Sequence, residues 1–343
     1  MKDIHGLQIY ILKEIESRFP RRADAVDRMV NLLHLQKDGI YRRIRGETIL
    51  TPDEIEILVK AFKLSLDKYI FKQSDSVVFT FNPFSHKVKN FGDYLDGIHQ
   101  DLMVLSQLPK VHISDAWAEI PFFYYIFYPE LLSFKFYVWG RTIWQFDYLQ
   151  NLKFDIDIIP TPVIQQAQQV LETYCAIPST QLWSLNIIDN TLNQIEYFSN
   201  AGGFNNPQDA ILLCNRLMQL TDHMELMATH GKKMALNNPL ESGGAPLKLY
   251  HNEMIYTNNT IFVESAVGRY IYTTFGNPNF LKTSDDRMCN YTHEWFENII
   301  AKSRLISSQG EGGRRFFFDR LRKRIDIVKK RVEMTVNGND EGL

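Results

Sequence analysis

The segment Thr51-Pro52-Asp53-Glu54 is the feature that most restricts how this chain can fold. A threonine cap, a proline at the first helical position and a glutamate three residues after the cap form a reciprocal capping box, so a helix has to begin here. Behind it Ile55, Leu58, Val59 and Phe62 recur at spacings of three and four, which gives that helix one apolar face. Upstream, Ile4, Leu7, Ile11, Ile15 and Phe19 predict a helix over 4–19, and Val26, Met29, Val30 and Leu33 predict another over 23–33. A third starts near Lys37 and stops around Gly46. It carries Ile40 and Ile44 on one face, with Tyr41, Arg42 and Arg45 turned toward the other. Ser65 and Asp67 cap a last short turn through Tyr69 and Ile70. Residues 1–72 therefore read as a domain of five short helices with tight connections.

Residues 73–109 read as a linker, with at most one strand, followed by a connecting helix. In that helix Phe91, Leu95, Ile98, Leu102 and Leu105 recur at alternating spacings of four and three. This is a seam that packs either on its own domain or on a second copy. Residues 110–335 read as an α+β domain: a strand at "KVHIS", an aromatic block, and helices near 161–175, 180–200 and 207–230. Gly202 and Gly231 stand where helix C-caps belong. The runs "LKLYHNEMIY", "TIFVES" and "RYIYTTF" read as strands, the first two joined by "TNN" as a hairpin. A helix follows Ser284, and the last helix, "RRFFFDRLRKRIDIVKKRV", sets Phe318, Leu321, Ile325, Val328 and Val332 on one side with cations around the rest. Its apolar face should be buried in this domain or in a partner subunit. Residues 336–343 read as a frayed tail. The fold class that follows is mainly α with a smaller β part.

With 343 residues, 45% hydrophobic and 13% aromatic, the chain can bury a large core. Its net charge of −2 announces no polyanion partner, so any basic surface must be local. Cys175, Cys214 and Cys289 lie far apart, with no paired or zinc-type spacing, which fits a reducing cytosol. The N-terminal stretch is charged at short intervals and lacks the apolar core of a signal peptide. The most apolar region, 120–140, is broken by Pro121, Pro129, Glu130 and Lys135, so it falls short of the ~18 to 20 residues that span a bilayer. A cytoplasmic protein with no membrane partner is the expectation.

Catalytic signatures are missing: there is no phosphate-loop, dinucleotide, zinc-protease or nucleophile-elbow motif. "GEGGRR" at 310–315 lacks a lysine and reads as a turn. His223 and His230, seven apart on one helix, read as a surface pair rather than a metal site. Alternation directs His251 and Glu253 to one face of a strand. Phe122, Tyr124, Phe127, Trp139 and Trp144 form either a plain aromatic core or the wall of an apolar ligand cavity. No catalytic residue, metal ligand or cofactor is assigned, and the chain is not expected to be an enzyme.

The stretch "LLHLQKDGIYRRIRGETILTPDEIEILVKAFKLSLDKYI" resembles the helix-turn-helix core of the Cro/repressor-type, xenobiotic-response-element regulators of bacteria. The likeness covers residues 23–70 and rests on "YRRIRGE" followed by a capped helix. It implies that the helix from Lys37 to Arg45 lies in the major groove of duplex DNA. Lys37, Asp38 and Tyr41 would then be nearest the bases, Gln36 at a base or adjacent phosphate, Arg42 and Arg45 on phosphates, and Arg21 and Arg22 on the backbone with the amides of the preceding helix. Two positions depart from the pattern. His34 occupies the turn position often held by glycine, where a positive φ is costlier, and Gly39 sits inside the reading helix at a cost of about 1 kcal/mol against alanine.

The expected function is that of a sequence-specific DNA-binding transcriptional regulator, a homodimer on double-stranded DNA, whose C-terminal domain senses a small-molecule effector or drives oligomerisation. The rival reading is a protein-interaction module, a defence or toxin-neutralising component, whose helical domain does not read DNA.

Overall fold

The computed structural model describes residues 6–19, 21–62, 64–70, 76–82, 88–236, 244–254 and 259–340. The chain forms two compact units, Met1–Val78 and Phe79–Leu343, and is mainly helical with a smaller β part.

The first unit contains α1 (Gly6–Glu16), α2 (Arg22–Leu33), α3 (Lys37–Ile44), α4 (Pro52–Phe62) and α5 (Asp67–Ile70). The apolar stripes meet in one small core built on Ile11, Ile15, Val26, Met29, Ile40 and Leu58, all but excluded from solvent. The capping box forms reciprocally: the Glu54 amide donates to Thr51 Oγ1 at 3.2 Å, and the Thr51 amide donates to Glu54 Oε2 at 3.0 Å. His34 ends α2 in the left-handed region, φ 54 and ψ 38, a conformation that costs an L-residue about 1–2 kcal/mol. The core contacts on both sides of the turn hold it there.

Two polar side chains finish the unit. Gln8, buried in α1, donates to the carbonyls of Arg43 at 2.7 Å and Thr48 at 2.9 Å and accepts from the Leu50 amide at 2.8 Å. It thereby satisfies three backbone groups of the turn between α3 and α4. Arg43 grips Glu54 in a bidentate pair, 3.0 and 2.7 Å, with the two side chains only 12% and 15% exposed. Glu54 thus caps α4 and ties α4 to α3 with the same carboxylate.

The second unit is organised on an eight-stranded mixed sheet of order β1-β7-β6-β5-β2-β3-β4-β8. Its strands are β1 (Thr80–Asn82), β2 (His112–Trp117), β3 (Ser179–Trp183), β4 (Leu247–His251), β5 (Thr260–Ser265), β6 (Gly268–Thr274), β7 (Phe280–Thr283) and β8 (Arg304–Leu305). The helices are α6 (Phe91–Ser106), α7 (Phe122–Tyr125), α8 (Pro129–Thr142), α9 (Thr161–Cys175), α10 (Asp189–Asn200), α11 (Gln208–His230), α12 (Asp286–Ala301) and α13 (Glu311–Asp340). β2, β3 and β4 run parallel because helices connect them, and the remaining pairs are antiparallel.

Two sequence expectations change in the sheet. Residues 180–183, read as the start of a helix, form the central strand β3. All five of its residues are buried between parallel neighbours, and a strand covered on both faces shows no alternation. "LKLYH" and "TIFVES" are not a hairpin: β4 lies between β3 and β8, and β5 between β2 and β6. The tight hairpin is β5–β6, closed between Ser265 and Gly268, because long-range pairing of buried faces outweighs a local turn signal. Thr257 and Asn258 of "TNN" lie outside the described residues.

The segment read as linker and connecting helix enters the second unit. Thr80 pairs with Lys282 at the sheet edge, and Phe91, Leu95, Leu102 and Leu105 of α6 are buried in its core. The tail read from 336 is helical through Asp340, with Val336 buried.

The apolar face of α13 is filled in the same way. Phe318, Leu321, Ile325 and Val332 are sequestered against the unit, where α13 packs on α10 and α11. Both faces with a dimer contact as one alternative, the α6 seam and the α13 stripe, are therefore occupied within the chain. The α13 cations follow suit. Arg322 pairs with Asp222 at 2.8 Å, with Glu225 and with Asp319 at 3.1 Å. Arg324 pairs with Asp189 at 3.0 Å and Arg331 with Glu196 at 3.1 Å. "GEGGRR" is the first turn of this helix: Arg314 is buried and donates to the carbonyls of Ile306 and Ser308.

Candidate functional site

In the first unit, α2 and α3 meet through the His34 turn, and Ile40 seats α3 on the core. The opposite face of α3 is open. Lys37, Arg42 and Arg45 keep 63%, 58% and 51% of their side chains exposed. Gln36 is the exposed N-cap of α3 and makes no side-chain capping bond, so its amide is available. Tyr41 is half-buried against the core, which limits it to presenting one edge. Arg21 caps the start of α2 from outside, in extended conformation, and Arg22 opens the helix.

Each assigned cation already has an acidic neighbour: Arg21 with Asp24 at 2.8 Å, Arg22 with Glu16 at 2.7 Å, Lys37 with Asp27 at 2.6 Å, Arg42 with Asp38 at 2.9 Å and Arg45 with Glu47 at 2.5 Å. These partners raise the pKa of Lys37 and Arg45 through the side-chain hydrogen bond first and the charge second. The resemblance sets Asp38 beside the bases; here it is engaged by Arg42 one turn on. Exposed pairs of this kind are screened by solvent and contribute little, so exchange for another anion is inexpensive. Arg43, the remaining arginine of the run, faces inward and is spent on Glu54.

The second unit encloses a cavity of about 380 Å³ between α6 and one face of the sheet. Ile113, Asp115 and Trp117 of β2, Ile261 and Val263 of β5 and Tyr272 of β6 point into it, as the two-residue period of paired strands requires. Phe122 and Trp139 of the aromatic block line its floor, whereas Tyr124, Phe127 and Trp144 pack as core.

Three buried charged residues border this space. Lys135 donates to Glu119 at 2.7 Å with both side chains nearly excluded from water, and Asn190 and Asn277 also donate to Glu119. Asp115 is 1% exposed; its Oδ2 accepts from Gln181 at 3.3 Å, and its Oδ1 has no partner among the described residues. Burial pushes the Asp115 carboxyl up to about 8, against the opposing pull of Lys233, Trp117 and Gln181. Sequence reasoning treated Lys135 only as an interruption of an apolar run and ended the strand before Asp115. The available signal was an ionisable residue at an inward-facing position, which demands a partner or a function.

No group of three metal-ligating side chains occurs among the described residues. His223 is not a surface residue: it is buried and bonds the Met234 carbonyl at 2.8 Å, while His230 is exposed. His251 and Glu253 pair with each other at 2.5 Å, and Glu253 also accepts from the Leu185 amide. Burial pushes the Cys175 thiol up to about 11 and Cys214 to about 12, which leaves both as unreactive thiols at neutral pH. No helix among the described residues is long and apolar enough to cross a membrane. Compared with protein families, curated proteins and solved structures, the chain matches none, so the family likeness rests on the residues of α2 to α4 themselves.

Proposed function

We propose that the chain is a sequence-specific DNA-binding transcriptional regulator, with α3 of the first unit as its reading helix and the second unit as its effector-sensing half. The observation that carries the reading is the one-sided seating of α3. Ile40 is buried, Arg43 is locked on Glu54, and Lys37, Arg42 and Arg45 remain outside, held only by exposed acids. On approach of a duplex these cations trade carboxylates for phosphates. Each contact then releases condensed counterions, and that release drives binding at low salt.

A single domain of this type makes few contacts, so useful affinity calls for two half-sites about 34 Å apart and hence for a second copy. The surface that joins the copies is neither the α6 seam nor the α13 stripe. We place the protein in the cytoplasm.

The interaction-module reading has its own support: every assigned cation is already paired within the unit. Incubating the full-length protein with random duplex fragments at moderate salt, then sequencing those retained, separates the two. The regulator reading expects a recurring motif, with two half-sites if a dimer binds. Retention without sequence preference, or none, favours the interaction module.

A further inference from the structure

We infer that the cavity beneath α6 binds an uncharged, largely apolar small molecule that presents an oxygen acceptor to Asp115 and Trp117. The inference names the ligand class for the effector-sensing half of the proposed regulator and rests on that reading of the second unit.

Size comes first. An apolar cavity near 150 Å³ holds benzene, so about 380 Å³ holds a molecule of two to three rings; ligand sites begin at roughly this volume. The walls are mostly hydrocarbon and ring faces, from Ile98 and Leu102 of α6, Ile261 of β5, Phe122, Phe123 and Trp139. Thr80 and Asp101 on the rim are exposed, so the space opens between the sheet edge and α6.

Polarity comes next. Asp115 and Trp117 are two apart on β2 and share its inward face. Asp115 Oδ1 and Trp117 Nε1 are both buried; Trp117 lies close enough to pull the Asp115 pKa down, yet neither atom makes a hydrogen bond of ordinary geometry among the described residues. Buried polar atoms in folded proteins are nearly always paired, so two neighbouring orphans in one cavity mark groups reserved for something else. Their chemistry fixes what that is. Oδ2 accepts from Gln181, so the proton that burial keeps on the Asp115 carboxyl sits on Oδ1, and the site offers an O–H and an indole N–H side by side. A carbonyl or ether oxygen satisfies both.

Charge decides against an ionic ligand. Glu119 has both oxygens occupied, by Lys135 and Asn190 on one and Asn277 on the other. The Lys135 ammonium is held by that carboxylate between the Tyr125 and Trp139 rings, 5.1 and 5.4 Å from their centroids. The remaining charged lining residues are Asp101, exposed at the rim, and Lys282, whose ammonium lies over the Tyr270 and Tyr272 rings; burying an uncompensated charge among the apolar walls costs far more than burying a dipole.

The test is a matched probe series on the full chain at pH 7, without DNA, read by titration calorimetry: naphthalene, 2-acetylnaphthalene, 2-naphthoate and 2-naphthylmethylammonium. The expected result is one 2-acetylnaphthalene per chain, bound at least about tenfold tighter than each of the other three. Asp115→Leu should retain naphthalene binding and erase the tenfold preference, and Val263→Phe, which fills the cavity, should abolish binding of all four.

No saturable binding by any probe overturns the inference, as does tightest binding by either ion, or a preference unchanged in Asp115→Leu. The ranking in the unmodified chain decides by itself if a variant misfolds. A chain that binds the probe and no DNA loses the regulator reading and keeps this one; the converse loses this one alone.

Discussion

Two helices of this protein are rich in arginine and lysine, α3 in the first unit and α13 in the second, and their cations are employed differently. Arg322 and Arg324 of α13 reach acids on other elements of their unit, and Arg314 is buried on backbone carbonyls. These side chains fasten the helix down. In α3 Arg43 does this on a part-buried acid, Glu54 of α4, while Lys37 reaches only the half-exposed Asp27 of α2. Lys37, Arg42 and Arg45 hold neighbours that are themselves half-exposed. A count of cations does not separate the two helices; the location and burial of the opposing acids does.

The comparison breaks most severely at the apolar stripe. Leu321→Asp or Ile325→Asp buries an unpaired charge in the main core and should cost more than about 4 kcal/mol, enough to abolish cooperative unfolding of the second unit in a denaturant titration. A folded, monodisperse Leu321→Asp protein would mean that the α13 stripe is not core.

The next effect belongs to the first unit. Glu54→Ala removes the side-chain half of the α4 capping box, leaving the Thr51 Oγ1 cap in place, and strands Arg43 at 12% exposure, so it should destabilise that unit by about 3 kcal/mol, whereas Arg42→Ala should change stability by less than about 0.5 kcal/mol. Equal losses in the two variants would erase the distinction between inward and outward arginines.

A third contrast sets the orphaned Asp115 against the satisfied Glu119. The folded-state pKa of Asp115 is raised to about 8 by burial. Between roughly pH 4, where an unfolded aspartate titrates, and pH 8, the folded state binds more protons at this site than the unfolded one. Its contribution to stability is therefore fully present below the unfolded pKa and is lost as pH rises through the folded pKa. Asp115→Asn, which stays neutral, should gain steadily on the wild type as pH rises across that window in paired melts. A difference independent of pH would show that Asp115 is ionised throughout.

The smallest effect is at Gly39. A Cβ there meets only Arg43 Nη1 at 3.8 Å and Leu35 Cβ at 3.9 Å, so Gly39→Ala should stabilise the first unit by up to about 1 kcal/mol. If the same change weakens DNA binding while raising the melting temperature, the glycine serves close approach to the duplex.

The parts of this architecture that were legible in the sequence are those written locally. The Thr51–Glu54 box, the apolar stripes of α1 to α4 and the awkward turn at His34 depend on residues within one or two turns of each other, and each appears in the structure. What escaped notice depends on distant residues. Gln8 is buried because carbonyls at Arg43 and Thr48 need donors, and nothing near Gln8 says so. β3 carries no alternation because sheet neighbours and helices cover it on both sides. Of the candidate contacts on α3, exposure was readable from periodicity, whereas the acid opposite each cation was visible only where it lay four residues away, as Asp38 does from Arg42. The cavity was half-anticipated: the aromatic block supplies its floor, but Asp115 and Glu119 enter it through strand order and a loop that no local pattern fixes.

Salt dependence tests the division of labour between the two basic helices most directly. On a duplex fragment selected by the wild-type protein, affinity should fall steeply with rising salt. Arg42→Ala and Arg45→Ala should each flatten the log–log slope by about one phosphate contact, while Arg322→Gln with Lys323→Gln leaves slope and affinity nearly unchanged. If the α13 double variant cut specific affinity by more than roughly tenfold, about 1.4 kcal/mol, or if the α3 variants left the slope untouched, DNA binding by α3 would be wrong.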